Sequence, residues 1–129
     1  MIHYISFLIL AVIQSSALFN LTVEFPNVPK NSGQVYVQLM NQDKEVLEQK
    51  IVAVKNHSAI IKITGLKPGK YAIRAFQDLN GNGKFDIGIF GPKEPYGFSN
   101  NVRGVVGEPD FNVQLFELKQ DFRVSIQLK

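Results

Sequence analysis

The chain has 129 residues, of which 45% are hydrophobic, and a formal net charge of +3. That apolar content excludes a disordered polymer and fits a single core, while the scatter of Lys and Arg from Lys30 to Lys129 without a run argues against nucleic acid as a partner. Cysteine is absent, so neither disulfides nor thiolate chemistry contribute, and hydrophobic burial must hold the domain together.

The chain opens on an apolar run, Ile2 to Ile13, followed by Gln14, Ser15, Ser16 and Ala17. A run of about a dozen residues is too short to cross a hydrocarbon core of about 30 Å. Small residues at Ser15 and Ala17 occupy the positions a signal peptidase reads, so residues 1–17 are expected to be a signal peptide cut before Leu18. Residues 18–129 are then the mature domain, secreted or periplasmic, with no stable membrane span. No cysteine follows the run, so a lipoprotein anchor is not expected.

Beyond Ala17 the apolar residues recur with period two, the mark of strands with one buried face. Leu21, Val23 and Phe25 alternate with Thr22 and Glu24. Val35, Val37 and Leu39 alternate with Tyr36, Gln38 and Met40, after a turn at residues 29–33. Ile51 to Val54 and Ala59 to Ile63 are short apolar runs joined by a turn at Asn56, His57 and Ser58. Pro68 and Gly69 reverse the chain before Tyr71, Ile73 and Ala75 point inward. Residues 86–110 carry little periodicity and read as loop. Strands over Phe111 to Leu118 and Phe122 to Leu128 close the chain, linked tightly by residues 119–121, with Val113 and Leu115 expected in the core. About seven short strands at this spacing predict an all-β antiparallel sandwich, with a closed barrel as the alternative.

One loop carries a chemical signal. Asp78, Asn80, Asn82 and Asp86 place side-chain oxygens at relative positions 1, 3, 5 and 9, with Gly83 at position 6 and the Lys84 carbonyl available at position 7. That is how a loop wraps calcium, a hard cation that takes six to eight oxygens. Position 12 is Ile89, so the bidentate Glu of an EF-hand is missing, and Glu94 is the candidate to fold back in its place. The alternative is a plain turn, since Asn-Gly is favoured turn chemistry. It leaves unexplained why Asp78 and Asp86 bracket the glycines, where two carboxylates repel without a cation.

The run GLKPGKYAIRAFQDLNGNGKFD, then GPKEPYGFSNN at residues 91–101, then Pro109 and Phe111, closely resembles the bacterial family DUF2141. The resemblance covers nearly all of the chain beyond the leader. It implies an exported protein with an immunoglobulin-like or prealbumin-like sandwich, and no established activity. The loop is also loosely similar to the calcium-binding B-type repeats of Gram-positive surface adhesins.

In the second stretch, Tyr96 and Phe98 beside Asn100 and Asn101 suit sugar or peptide binding, because rings cover apolar patches while amides exchange hydrogen bonds. The competing reading, which the sequence favours, has the two rings pin a loop and the two amides cap its backbone. No catalytic residue is assigned. His57 sits in a turn, Ser99 lacks a nucleophile elbow, and Asp78 with Asp86 on one glycine-rich loop suits a cation better than a glycosidase pair. The expectation is a non-catalytic module with a structural calcium loop, binding an unknown protein or carbohydrate ligand. A small extracytoplasmic hydrolase using the loop acids, or a metal-free accessory domain, is the alternative.

Overall fold

A computed structural model describes residues 17–89 and 91–129. The apolar run and nearly all of the expected leader lie outside these residues. The chain is mostly β. Strand β1 (Phe19–Phe25) buries Leu21, Val23 and Phe25, and β2 (Gln34–Asn41) buries Val35, Val37 and Leu39, as period two requires. Strands β3 (Val46–Ala53), β4 (Ala59–Leu66) and β5 (Gly69–Asp78) follow, then the short β6 (Ile87–Gly88), β7 (Gly91–Pro92) and β8 (Tyr96–Phe98). A 3₁₀ turn at Ser99–Asn101, one helical turn α1 (Phe111–Gln114), β9 (Phe116–Leu118) and β10 (Phe122–Ser125) complete the described chain.

Among the described residues the strands form three sheets. One has the order β10-β1-β4, the second β3-β2-β5-β8 with β9 also on β5, and the third is the β6-β7 ribbon. Both larger sheets feed one core: Leu21, Val23, Ile63 and Val124 come from the first, and Val35, Leu39, Ile73 and Leu118 from the second. The C-terminal tail ties the sheets together. Ile126 donates its N–H to Glu24 of β1, and three residues on Lys129 exchanges two main-chain bonds of 3.0 Å with Tyr96 of β8. The tail passes so close to β8 that a Cβ on Gly97 would collide with the Gln127 carbonyl, which is why a glycine stands there.

Several expectations change. Among the described residues ten strands appear in place of about seven, because the stretch read as loop holds β6, β7 and β8. The pairing is not wholly antiparallel: β1 and β10 run parallel, in the register Leu21 to Phe122. Phe111 to Leu118 is not one strand, since its first four residues form α1, where Val113 is half exposed and Leu115 stays outside the core cluster. The links at 29–33 and 119–121 do not close hairpins. β1 and β2 lie in different sheets, as do β9 and β10, so these short links carry the chain from one sheet to another. The turn at Asn56 and His57 is as expected; both residues have positive φ, and Lys55 and Ser58 bridge across it.

Candidate functional site

β5 is the central strand of its sheet and ends at Asp78, which is 2% exposed. From there the loop turns on Gly81 and Gly83, both with φ above 70°, a conformation that glycine alone adopts without strain. Asp78 accepts the Gly81 N–H at 3.1 Å on one carboxylate oxygen and the Gly83 N–H at 2.8 Å on the other. Asn80 Oδ1 accepts the Asn82 N–H (3.2 Å), and Asn82 Oδ1 accepts the Lys84 N–H (2.9 Å), two successive Asx turns. The amide groups of Asn80 and Asn82 both donate to Asp86, at 2.6 Å and at 3.0 and 3.1 Å. These bonds, that from Asn82 foremost, hold the Asp86 carboxyl below its ordinary pKa.

Glu94 does fold back. It is 5% exposed, and its two oxygens accept the N–H of Leu79 at 2.7 Å and of Asp86 at 3.0 Å. One buried carboxylate thus ties the two ends of the loop together. The reach is supplied by the β6-β7 ribbon, which reverses the chain between Asp86 and Glu94. The loop is therefore no simple hairpin turn: among the described residues β6 pairs with β7, and β5 with β2, β8 and β9.

Asp78, Asn80, Asn82, Asp86 and Glu94 are thus drawn into one hydrogen-bonded unit. Among the described residues no group of three or more His, Cys, Asp or Glu side chains is arranged to hold a metal by itself. A cation here would draw on the amide oxygens and the Lys84 carbonyl as well as the acids. The oxygens of Asp78 and Glu94 and Oδ1 of Asp86 each accept one N–H and keep a second lone-pair direction, whereas Oδ2 of Asp86 already accepts both amides. The donor set is all oxygen, which fits Ca²⁺ and is wrong for Zn²⁺.

The second stretch works as a clamp. Asn100 donates to the carbonyls of Val113 and Leu115 (both 3.0 Å), and Asn101 accepts the Gln127 N–H (2.9 Å) and donates to the Ser125 carbonyl (3.2 Å). Buried Ser99 donates to the Gln114 carbonyl and accepts the Ile73 N–H at 3.0 Å. These three side chains bind β5, α1 and β10 together. His57 Nδ1 lies 2.9 Å from the Val28 carbonyl, holding its turn against the chain after β1.

Tyr96 and Phe98 from the second stretch join three rings that the sequence did not single out, Tyr36, Phe76 and Phe85, along a concave surface. A row of rings runs from Tyr36 through Phe76, Phe85 and Tyr96 to Phe98, with successive centroids 5.2 to 5.9 Å apart. It lies along a groove of about 900 Å³ beside Gln38, Gln49 and Arg74. Arg103 covers Tyr96 at 4.2 Å from the ring centroid. Phe85 belongs to the Asp78–Asp86 loop, so the loop and the groove share a wall. The available signal was the outward alternation of Tyr36 and Phe76 on their strands. Their adjacency comes from the β2-β5 register, which sets Tyr36 opposite Phe76.

No curated protein and no solved structure matches the chain. With DxNGNGxxD clamped by Glu94, and SNN clamping three elements, the two motifs that carried the resemblance are both built into the fold. Over residues 23–126 the chain matches, and belongs to, DUF2141, a family described as uncharacterized protein conserved in bacteria.

Proposed function

We propose that this protein is an exported, non-catalytic β-sandwich of immunoglobulin-like or prealbumin-like type that binds a protein or carbohydrate ligand, with calcium held structurally by the Asp78–Asp86 loop. The two larger sheets around one core support the sandwich reading. Export rests on the leader pattern of residues 1–17, and intact-mass analysis of the exported protein should find it starting at or near Leu18. A mass that still includes Met1 to Ala17 removes that part of the reading.

The observation that carries the function is Phe85. It sits between two loop donors, Lys84 and Asp86, yet its ring packs on Phe76 (5.4 Å) and Tyr96 (5.5 Å) in the groove. A cation that stiffens the loop therefore fixes a wall of the ligand surface. Asp78, Asn80, Asn82, the Lys84 carbonyl, Asp86 and Glu94 are the candidate donors. Extracellular calcium modules bind with Kd of about 10⁻⁴ to 10⁻³ M. At about 2 mM free ion, linkage gives roughly 0.6 to 1.8 kcal/mol of stabilisation, or a rise in the thermal midpoint of about 3 to 14 °C. Magnesium should do much less, because it gives up water reluctantly and demands octahedral geometry. Asp78→Ala should abolish the rise. Equal midpoints in EDTA and in calcium would overturn the calcium reading.

A metal-free loop is the second reading, and one observation favours it: amide donors from Asn80 and Asn82 already stabilise the Asp86 carboxylate, and main-chain N–H groups that of Asp78, so the two acids can coexist without a cation. The same titration separates the two.

A further inference from the structure

Among the described residues β3 pairs with β2 alone and is the edge of the five-stranded sheet. Its outer edge is unusually apolar: Val46, Leu47 and Ile51 are 44%, 45% and 55% exposed. An exposed edge of this kind is a template for another strand. The sequence of β3 also has an internal symmetry. Reading outward from Gln49, Glu48 mirrors Lys50, Leu47 mirrors Ile51 and Val46 mirrors Val52.

The hydrogen-bond parity of β3 decides whether that symmetry is usable. Val54 donates its N–H to the Gly33 carbonyl at 3.1 Å, one step beyond the Gln34–Ala53 pair. Antiparallel ladders alternate between residues that bond across and residues that do not. Residues 52, 50 and 48 therefore turn their main chain toward β2, and 53, 51 and 49 turn theirs outward. A second strand can join only through the outward set. An antiparallel two-fold pairing is then centred on Glu48, on Gln49 or on Lys50, or lies further out. Centring on Glu48 or on Lys50 sets like charges directly opposite each other, which is destabilising. Centring on Gln49 sets Glu48 of each copy against Lys50 of the other and brings Leu47 beside Ile51, where the ladder ends.

The geometry points to a second copy of this chain as the partner of the β3 edge, in an isologous dimer centred on Gln49 that joins two five-stranded sheets edge to edge. The register step between Leu39 and Met40 leaves Leu47 as an extra residue in β3. Such a bulge twists the end of the strand, so the added ladder is short and the interface belongs to the small, reversible class. Ile51 and Gln49 also line the aromatic groove, so the dimer brings the grooves of two copies side by side.

The test is sedimentation of the purified protein from about 10 μM to about 1 mM, the range in which a small interface dissociates. The wild type should pass from monomer to dimer. Glu48→Lys alone and Lys50→Glu alone should each abolish the dimer, because each sets like charges opposite. Mixing those two variants should restore it as a heterodimer, and the double exchange Glu48→Lys with Lys50→Glu should restore it as a homodimer. Ile51→Pro, which removes an outward N–H while leaving the β2 ladder intact, should block it independently. Thermal midpoints verify that each variant is folded. A wild type that stays monomeric throughout shows an edge whose charges and bulge only guard against pairing, and overturns the proposal. A dimer indifferent to both single exchanges overturns it too.

Discussion

Removing the Glu94 carboxylate should loosen the whole Asp78–Asp86 loop, even with no cation present. Its two oxygens each accept a main-chain N–H, from Leu79 and from Asp86, and among the described residues no other side chain bonds both. A hydrogen bond to a charged group contributes about 1.5 to 3 kcal/mol, so two give an upper figure of about 3 to 6 kcal/mol. Both donors are only partly buried, and water that reaches them in the variant returns part of this. Glu94→Ala should therefore cost about 2 to 4 kcal/mol in urea unfolding. Glu94→Gln keeps one acceptor but turns an NH₂ group toward the other N–H, and should cost about half as much. The measurement belongs in EDTA, where calcium contributes nothing. Amide exchange should accelerate at Leu79 and Asp86 in both variants. A cost below about 0.5 kcal/mol for Glu94→Ala would show that the clamp does not hold the loop, and the link between Glu94 and Phe85 would fall with it.

Ile73 is fully buried on the central strand β5, and Ile73→Ala should destabilise by about 2 to 5 kcal/mol; chemical denaturation giving less than about 1 kcal/mol would contradict the core drawn from both sheets. Asp86 has a folded pKa below its unfolded value, so its contribution is present above about pH 4 and is lost as pH falls through the folded pKa. In EDTA the stability of the wild type should fall across that acid window, and Asp86→Asn should flatten the fall; an unchanged profile in the variant would mean that the amide bonds of Asn80 and Asn82 have no energetic weight.

The strands were legible in the sequence because one-sided burial imposes period two. Leu21, Val23 and Phe25, then Val35, Val37 and Leu39, then Tyr71, Ile73 and Ala75 all lie in the core as their alternation requires. The glycines and oxygens of the loop were legible for a similar reason, since positive φ and Asx turns are local demands met by local residues. Periodicity failed where tertiary bonds override it. Phe111 to Gln114 alternates like a strand, yet Ser99 and Asn100 capture the carbonyls of Val113, Gln114 and Leu115, and the segment turns as one helical turn.

Partnership between distant segments was not in the sequence at all. That β1 takes β10 in parallel is a consequence of the tail crossing from Glu24 to Tyr96, a long-range choice that no local pattern encodes. The same holds for Glu94, whose candidacy was readable from its chemistry, but whose burial against Leu79 and Asp86 depends on the β6-β7 ribbon folding it back. The aromatic groove exists only because the β2-β5 and β5-β8 registers bring Tyr36, Phe76 and Tyr96 abreast. Composition and alternation determined which residues are buried; register and strand order, set by main-chain pairing between segments far apart in the chain, decided which of them meet.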